Sequence, residues 1–229
     1  MAENDRKNSS KRRKPVLIGF GIGILVVLFA VSIYISIHQI RKSFAPPAFL
    51  PTPDQEFYQK RLSGGKFLVA DQHQKDPFFQ KSVILLIKYD SQGAMGLMIN
   101  RPSELDIHKL FPEMEKTSQK TVSIYYGGPV ETNRAFLLIC SQNIPAEVEC
   151  VLDDVYFSPN RKELERLRMR RDAREKYRIF IGYTGWKPYQ LEQEISKGGW
   201  KIIEADAAFI FDKPVSEMWA ALISKPGTP

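Results

Sequence analysis

The pattern of apolar and polar positions along this chain opens on its most extreme feature. Residues 16–37, VLIGFGIGILVVLFAVSIYISI, are 22 consecutive positions without a charge. As a helix this run measures about 33 Å, close to the roughly 30 Å hydrocarbon core of a bilayer. It predicts one transmembrane helix. A buried core helix would be shorter and carry a polar stripe, whereas this run offers only Ser32, Tyr34, Ser36 and three glycines. A cleaved signal peptide would have an apolar stretch of about 7–15 residues ending at a small-x-small site. The nearby Ser43-Phe44-Ala45 follows Arg41 and Lys42 and precedes two prolines. The run reads as an uncleaved anchor.

After the span the pattern changes. Residues 44–53, FAPPAFLPTP, hold four prolines in ten positions. Such a stretch favours extended geometry, so residues 38–53 read as a semi-rigid linker. Residues 54–229 then read as one domain of mixed α and β structure, without internal repeats. Asp54 is placed to cap a short helix through Leu62, stopped by Gly64-Gly65. KFLVA (66–70) and SVILLIKYD (82–90) predict strands, the second nearly continuous in apolar residues and therefore central. The turn DSQG (90–93) leads into AMGLMIN (94–100), a hairpin. Further strands are predicted over 122–126, 135–141, 155–157, 177–183 and 200–204. Helices are predicted over 105–111, over 159–176 with Ser158 as cap, over 188–197 closed by Gly198-Gly199, and around 216–223.

Charge fixes an orientation for the span. The chain of 229 residues carries a net +7. Arg6, Lys7, Lys11, Arg12, Arg13 and Lys14 precede the span, and only Arg41 and Lys42 closely follow it. The excess of cations stays cytoplasmic, which places the domain outside. In a bacterium that predicts a single-pass inner-membrane protein with residues 1–15 as a basic cytoplasmic arm and a periplasmic domain. The first 14 residues set six cations against Glu3 and Asp5, leaving +3 for the rest. The basic arm suits anionic headgroups, and the domain gives little support for nucleic-acid binding, so no nucleic-acid partner is expected.

The side chains exclude several chemistries. His38, His73 and His108 are far apart in sequence, and the two cysteines cannot make a four-cysteine zinc site. There is no Gly-x-Ser-x-Gly elbow, P-loop or dinucleotide glycine run. The expectation is therefore no metal and no catalytic residue assigned, although an enzyme assembled from scattered residues stays open.

Three segments place glycine, or Asn-Arg-Pro, at or near the end of an apolar strand: Gly96 to Pro102, Tyr126-Gly127-Gly128-Pro129-Val130, and Gly182-Tyr183-Thr184-Gly185-Trp186 with Gln190-Leu191-Glu192 in the next helix. Together with Asp76-Pro77-Phe78 and with Ser158 and Arg161 before a helix, they resemble the AlgH (YqgE-like) family of bacterial proteins. The resemblance spans roughly residues 65–222. It implies an α/β domain of the α+β type, with a coiled, bifurcated, mostly antiparallel sheet and flanking helices. It also implies a binding or regulatory role, the founding member being linked to regulation of alginate production; neither a catalytic activity nor a cofactor is established for the group, and no cofactor is expected. Typical members lack a membrane anchor.

Asn100, Arg101, Gly127, Gly128, Tyr183, Trp186, Gln190 and Glu192 are thus candidate ligand-binding residues, and Asn100, Arg101, Gly128 and Trp186 are expected in one neighbourhood. Each has a plainer alternative. Gly127-Gly128-Pro129 reads as a tight turn or as a nest of N–H groups for an anion. Asn100 can satisfy loop backbone, Arg101 can pair with a carboxylate, and Tyr183 and Trp186 can be packing aromatics. Arg166, Arg168, Arg170, Arg171 and Arg174 read as a solvated helix face or as a patch for anionic lipid or polysaccharide. Finally, a hairpin centred on Pro145 would set Cys140 opposite Cys150, within disulfide range. The competing hairpin pairs 136–139 with 155–157 and leaves Cys150 in a wider loop.

Overall fold

The computed structural model describes residues 57, 58, 61–105, 123–143, 147–170 and 174–227, with only the backbone of 161 and 168–170. All of these fall in the unit Thr52–Pro229. The expected anchor, basic arm and linker lie outside the described residues, as does all but the first residue of the helix expected over 105–111. Among the described residues no helix is long and apolar enough to cross a membrane.

Ten strands form one sheet. They are β1 (Lys66–Ala70), β2 (Val83–Asp90), β3 (Gly93–Met98), β4 (Pro102–Ser103), β5 (Ile124–Tyr126), β6 (Val130–Cys140), β7 (Glu149–Leu152), β8 (Val155–Ser158), β9 (Lys176–Trp186) and β10 (Trp200–Glu204). The order is β10-β1-β2-β3-β9-β6-β8-β7, with β5 joined to β9 and β4 to β5. Among the described strands only β5 and β9 run parallel. Four helices complete the described fold: α1 (Arg161–Arg170), α2 (Gln190–Ser196), α3 (Ala207–Asp212) and α4 (Val215–Ile223).

The apolar runs are explained by burial on both faces. Along β2, Leu85 and Ile87 join one core while Ile84 and Leu86 join another. Phe67, Phe136, Phe180 and Leu97 fill the first core, with Ile210, Met218 and Leu222 of α3 and α4. Leu191 of α2, Trp186, Trp200 and Leu62 belong to the second. Leu164 and Leu167 of α1 pack on Ile179, Ile181 and Ile139 in a third. The sheet coils until β7 returns to the start of β1, where a Cβ on Gly65 would lie 2.9 Å from the Val151 carbonyl oxygen.

The strand β9 carries the bifurcation. Its Ile179–Ile181 stretch pairs with β5, and its Thr184–Trp186 stretch pairs with β3 on the same side. On the opposite side it pairs with β6, from Cys140↔Lys176 through Val130↔Tyr183. The chain must therefore cross β9 between β5 and β6. Gly127, Gly128 and Pro129 make that crossing. A Cβ on Gly128 would sit 2.3 Å from the Tyr183 carbonyl carbon and 2.4 Å from the Thr184 nitrogen, and one on Gly127 would sit 2.2 Å from the Gly182 oxygen. Gly182 has φ +67°, and its Cβ would meet the Gly128 oxygen at 2.5 Å.

Several boundaries differ from the sequence reading, each for a local reason. Asn160, not Ser158, caps α1: its Oδ1 accepts from Lys162 N–H at 3.0 Å, while buried Ser158 ends β8. Pro188 belongs to a turn before α2, closed by Gln190 N–H donating to the Lys187 carbonyl at 3.0 Å. Three elements were not anticipated, β4, β7 and α3, the last capped by Asp206, whose carboxylate accepts from Phe209 N–H at 2.7 Å. The disulfide is also corrected: both thiols are free. β8 lies between β6 and β7, pairing Cys140 with Val155 and Cys150 with Tyr156. Neighbours on a strand face opposite ways, so the two cysteines are two strands apart and on opposite faces of the sheet.

The crossing makes a test. Gly198→Ala meets open space at φ +76° and should cost about 1–2 kcal/mol from backbone strain alone. Gly128→Ala must also push two backbones apart and should cost more than about 3 kcal/mol. Equal shifts of the two variants in urea denaturation would show that the crossing is not tight.

Candidate functional site

The structure divides the candidate residues instead of gathering them. Trp186 pairs with Ala94 at the start of β3, whereas Asn100 lies six residues further on, roughly 20 Å along an extended strand. At that far end Asn100 Oδ1 accepts from Val83 N–H at 2.8 Å and its Nδ2 donates to the Lys81 carbonyl at 2.9 Å. Arg101 donates to the carbonyls of Phe78 at 3.0 Å and Gln80 at 3.3 Å, so backbone rather than a carboxylate receives it. These two residues pin the 78–83 loop to the end of β3.

Gly127 and Gly128 occupy the crossing. The Gly127 N–H donates to the Ile181 carbonyl at 2.8 Å, and its own carbonyl accepts from Met98 N–H at 2.9 Å and Thr184 Oγ1 at 3.1 Å. Close approach of two chains accounts for the pair, and the Gly127 amide is committed within the fold.

Trp186, Gln190 and Glu192 meet at the other end, under α2. Trp186 and Trp200 pack edge to face, and both indole N–H groups donate to Glu194 Oε2, at 3.0 and 2.8 Å. Gln190 Nε2 donates to the other oxygen of Glu194 at 2.9 Å. Glu192 accepts from the Tyr89 hydroxyl at 2.6 Å. Burial, together with the Glu192 carboxylate, pushes the Tyr89 phenol well above its ordinary value. Sequence reasoning missed Glu194, Trp200 and Tyr89; the available signal was a glutamate four residues after Gln190, on the apolar side of an amphipathic helix.

On the opposite side of the β3–β9 pair the surface opens. A groove of about 460 Å³ runs between the β2–β3 hairpin and the end of β9, lined by Lys88, Asp90, Met95, Val130, Tyr183 and Trp186 among others. This lies within the range of ligand-binding clefts, roughly 300–1,000 Å³. Its geometry follows from the crossing: β6 stops pairing with β9 at Tyr183, so Thr184–Trp186 carry no strand on that side. The Tyr183 ring lies over Gly185, whose Cβ would meet it at 3.1 Å, and packs edge to face on Phe136. At the rim Lys88 and Asp90 form an ion pair at 2.9 Å. Their hydrogen bond holds Asp90 below the usual carboxylate range and raises Lys88.

Of the basic residues on and after α1, Arg166 contacts Glu163 through its guanidinium and Arg174 has a contact of its own. The side chains of Arg168, Arg170 and Arg171 lie outside the described residues. No group of three or more histidine, cysteine, aspartate or glutamate side chains suited to a metal occurs among the described residues.

Comparison with known proteins decides the family. The AlgH-like family, DUF179, matches residues 67–229. The chain belongs to this AlgH-like family. A UPF0301 protein of Pseudoalteromonas translucida is 36% identical over 166 residues, covering 70% of this chain and 89% of its relative. A UPF0301 protein of Vibrio cholerae is 35% identical over 170 residues, covering 70% and 90%. Among solved structures, the AlgH protein from Pseudomonas aeruginosa shares 32% identity at a TM-score of 0.58, covering 72% of this chain and 95% of that one. A Corynebacterium diphtheriae protein, at 21% identity and a TM-score of 0.61 over 73% of this chain and 89% of that one, shares the fold. The mostly antiparallel open sheet with a few helices is thus the AlgH-like fold.

Two outcomes follow from the α2 corner. Glu194→Ala leaves two indole N–H groups without their acceptor and should destabilise the domain by about 2–4 kcal/mol, with red-shifted tryptophan emission; unchanged stability and emission would refute the clamp. Tyr89 holds its proton in the folded chain at pH values where the unfolded phenol, near 10, has lost it. Its contribution is therefore complete below about pH 10 and lost as pH rises toward the folded value. The stability difference between wild type and Tyr89→Phe should shrink above pH 10, and a constant difference would refute the assignment.

Proposed function

We propose that this protein is a membrane-tethered, AlgH-like binding module of the bacterial envelope, regulatory rather than catalytic. The observation that carries the binding part is the groove, a concave surface with apolar walls and a charged rim on a rigid sheet. Its one carboxylate among the described residues, Asp90, is held by Lys88 and by Gln92 N–H at 2.7 Å, which does not leave it free for proton transfer. The regulatory part rests on the family resemblance.

The tether rests on the uncharged run of residues 16–37, and the orientation on the cations before it. In this reading the N-terminus is cytoplasmic, the domain is periplasmic, and the partner is a protein or an anionic ligand, with no nucleic acid.

Alkaline carbonate extraction should leave the full chain in the membrane fraction and release a chain that begins at Thr52. Exposed Cys150 provides the orientation. A membrane-impermeant maleimide should label it in intact cells, and Cys150→Ser should abolish most of the signal. Full extraction by carbonate would overturn the tether, and labelling only after lysis would overturn the periplasmic placement.

A further inference from the structure

The groove is rich in donors and poor in free acceptors. Tyr183 and Lys187 line the groove, and neither the Tyr183 hydroxyl nor the Lys187 ammonium has a hydrogen-bond or ion-pair partner among the described residues. The Trp186 carbonyl oxygen lies on the β3 side, 2.1 Å from where a Cβ on Gly93 would stand. By strand alternation the N–H of Gly185 then faces away from β3, toward the groove. Among the described lining residues the sole carboxylate, Asp90, is occupied by Lys88 and the turn. Two lysines against one aspartate leave a single excess positive charge.

The walls are apolar and flat. Met95, Val130 and Tyr183 are each half-buried there, and Gly93 and Gly185 contribute no side chain. Among the described residues no arginine lines the groove, so the forked donor geometry that suits phosphate is missing there, and a lysine ammonium acts as a point charge. We infer that the groove binds a small monoanionic carboxylate carried on a flat apolar body, such as an aryl carboxylic acid. The ring would lie against Met95, Val130 and Tyr183, and the carboxylate would receive Lys187, with the Tyr183 hydroxyl and the Gly185 N–H as neutral donors. This inference rests on the binding reading above and gives it a ligand class.

Equilibrium dialysis of the detergent-solubilised full chain against radiolabelled phenylacetate and phenylacetamide tests it, with wild type and Lys187→Glu compared in the same micelles. Lys187 is exposed and engaged only through its backbone, its N–H with Gln190 Oε1 at 3.1 Å and its carbonyl with Gln190 N–H at 3.0 Å, so the variant should fold. Phenylacetate should bind saturably and roughly three- to tenfold more tightly than its amide, as expected for one solvent-accessible charge. Lys187→Glu should abolish that preference while leaving amide binding unchanged. Equal binding of acid and amide, with no effect of Lys187→Glu, would overturn the carboxylate class and leave the groove standing as a binding site. No saturable binding of either probe to wild type at millimolar concentration would overturn both.

Discussion

Two backbones touch where the chain passes over β9, and the architecture depends on that contact. The peptide at Gly127-Gly128 lies against the Tyr183–Thr184 peptide with no space for a Cβ on either glycine. Because the crossing is this close, β5 can lie on one side of β9 and β6 on the other with only three residues between them. One strand then serves two branches of sheet. Its first half is buried under α1 on one face and lines the central core on the other, and its last residues extend the β10-β1-β2-β3 branch. A side chain at Gly128 would hold the branches apart and open the core between them.

The groove is a consequence of the same crossing. Where β6 begins, β9 still has three residues to run, and among the described strands these are supported by β3 alone. One face of that stub is sealed by α2 through the Trp186–Glu194–Trp200 clamp, which fixes the strand from behind. The other face has no helix over it among the described residues and becomes the groove. A rigid back and an open front suit a binding surface, because little ordering is required when a ligand arrives.

Much of this fold was legible in the chain, and the losses have identifiable causes. β1 and β2 could be read because residues buried on both faces form unbroken apolar runs, 67–70 and 83–87. β7 could not: Glu149 and Cys150 are exposed, so only Val151 marks it as part of a sheet. α3 spans six residues, too short for a helical period to show. The cysteine pairing failed because hairpin symmetry about Pro145 assumes that consecutive strands are neighbours, and β8 inserts itself between them. The groove was half visible. Tyr183 and Trp186 stood out as aromatics at a strand end, but Lys88, Met95 and Val130 reach it from elements separated by long stretches of sequence, and no local pattern marks them.

The misleading candidates at the far end of β3 share one physical origin. A sheet that splits leaves backbone groups without ladder partners, and buried ones must be satisfied some other way. β3 ends two residues before Asn100, so the Val83 N–H would be left over, and the Asn100 side chain takes it. The Ile99 carbonyl lies just past the same strand end and receives the buried Arg178 guanidinium at 3.3 Å, which also stacks over Tyr125 at 4.8 Å. Burial lowers the Arg178 pKa from its ordinary value, yet guanidinium remains charged, so its carbonyl and ring partners compensate the lost water. Thr184 closes the set from inside the crossing, donating to the Gly127 carbonyl. Polar residues at strand ends look alike in sequence whether they wait for a ligand or for their own backbone. The split of β9 makes the second use necessary here, and the residues left for a ligand are those on the branch where strand pairing stops short.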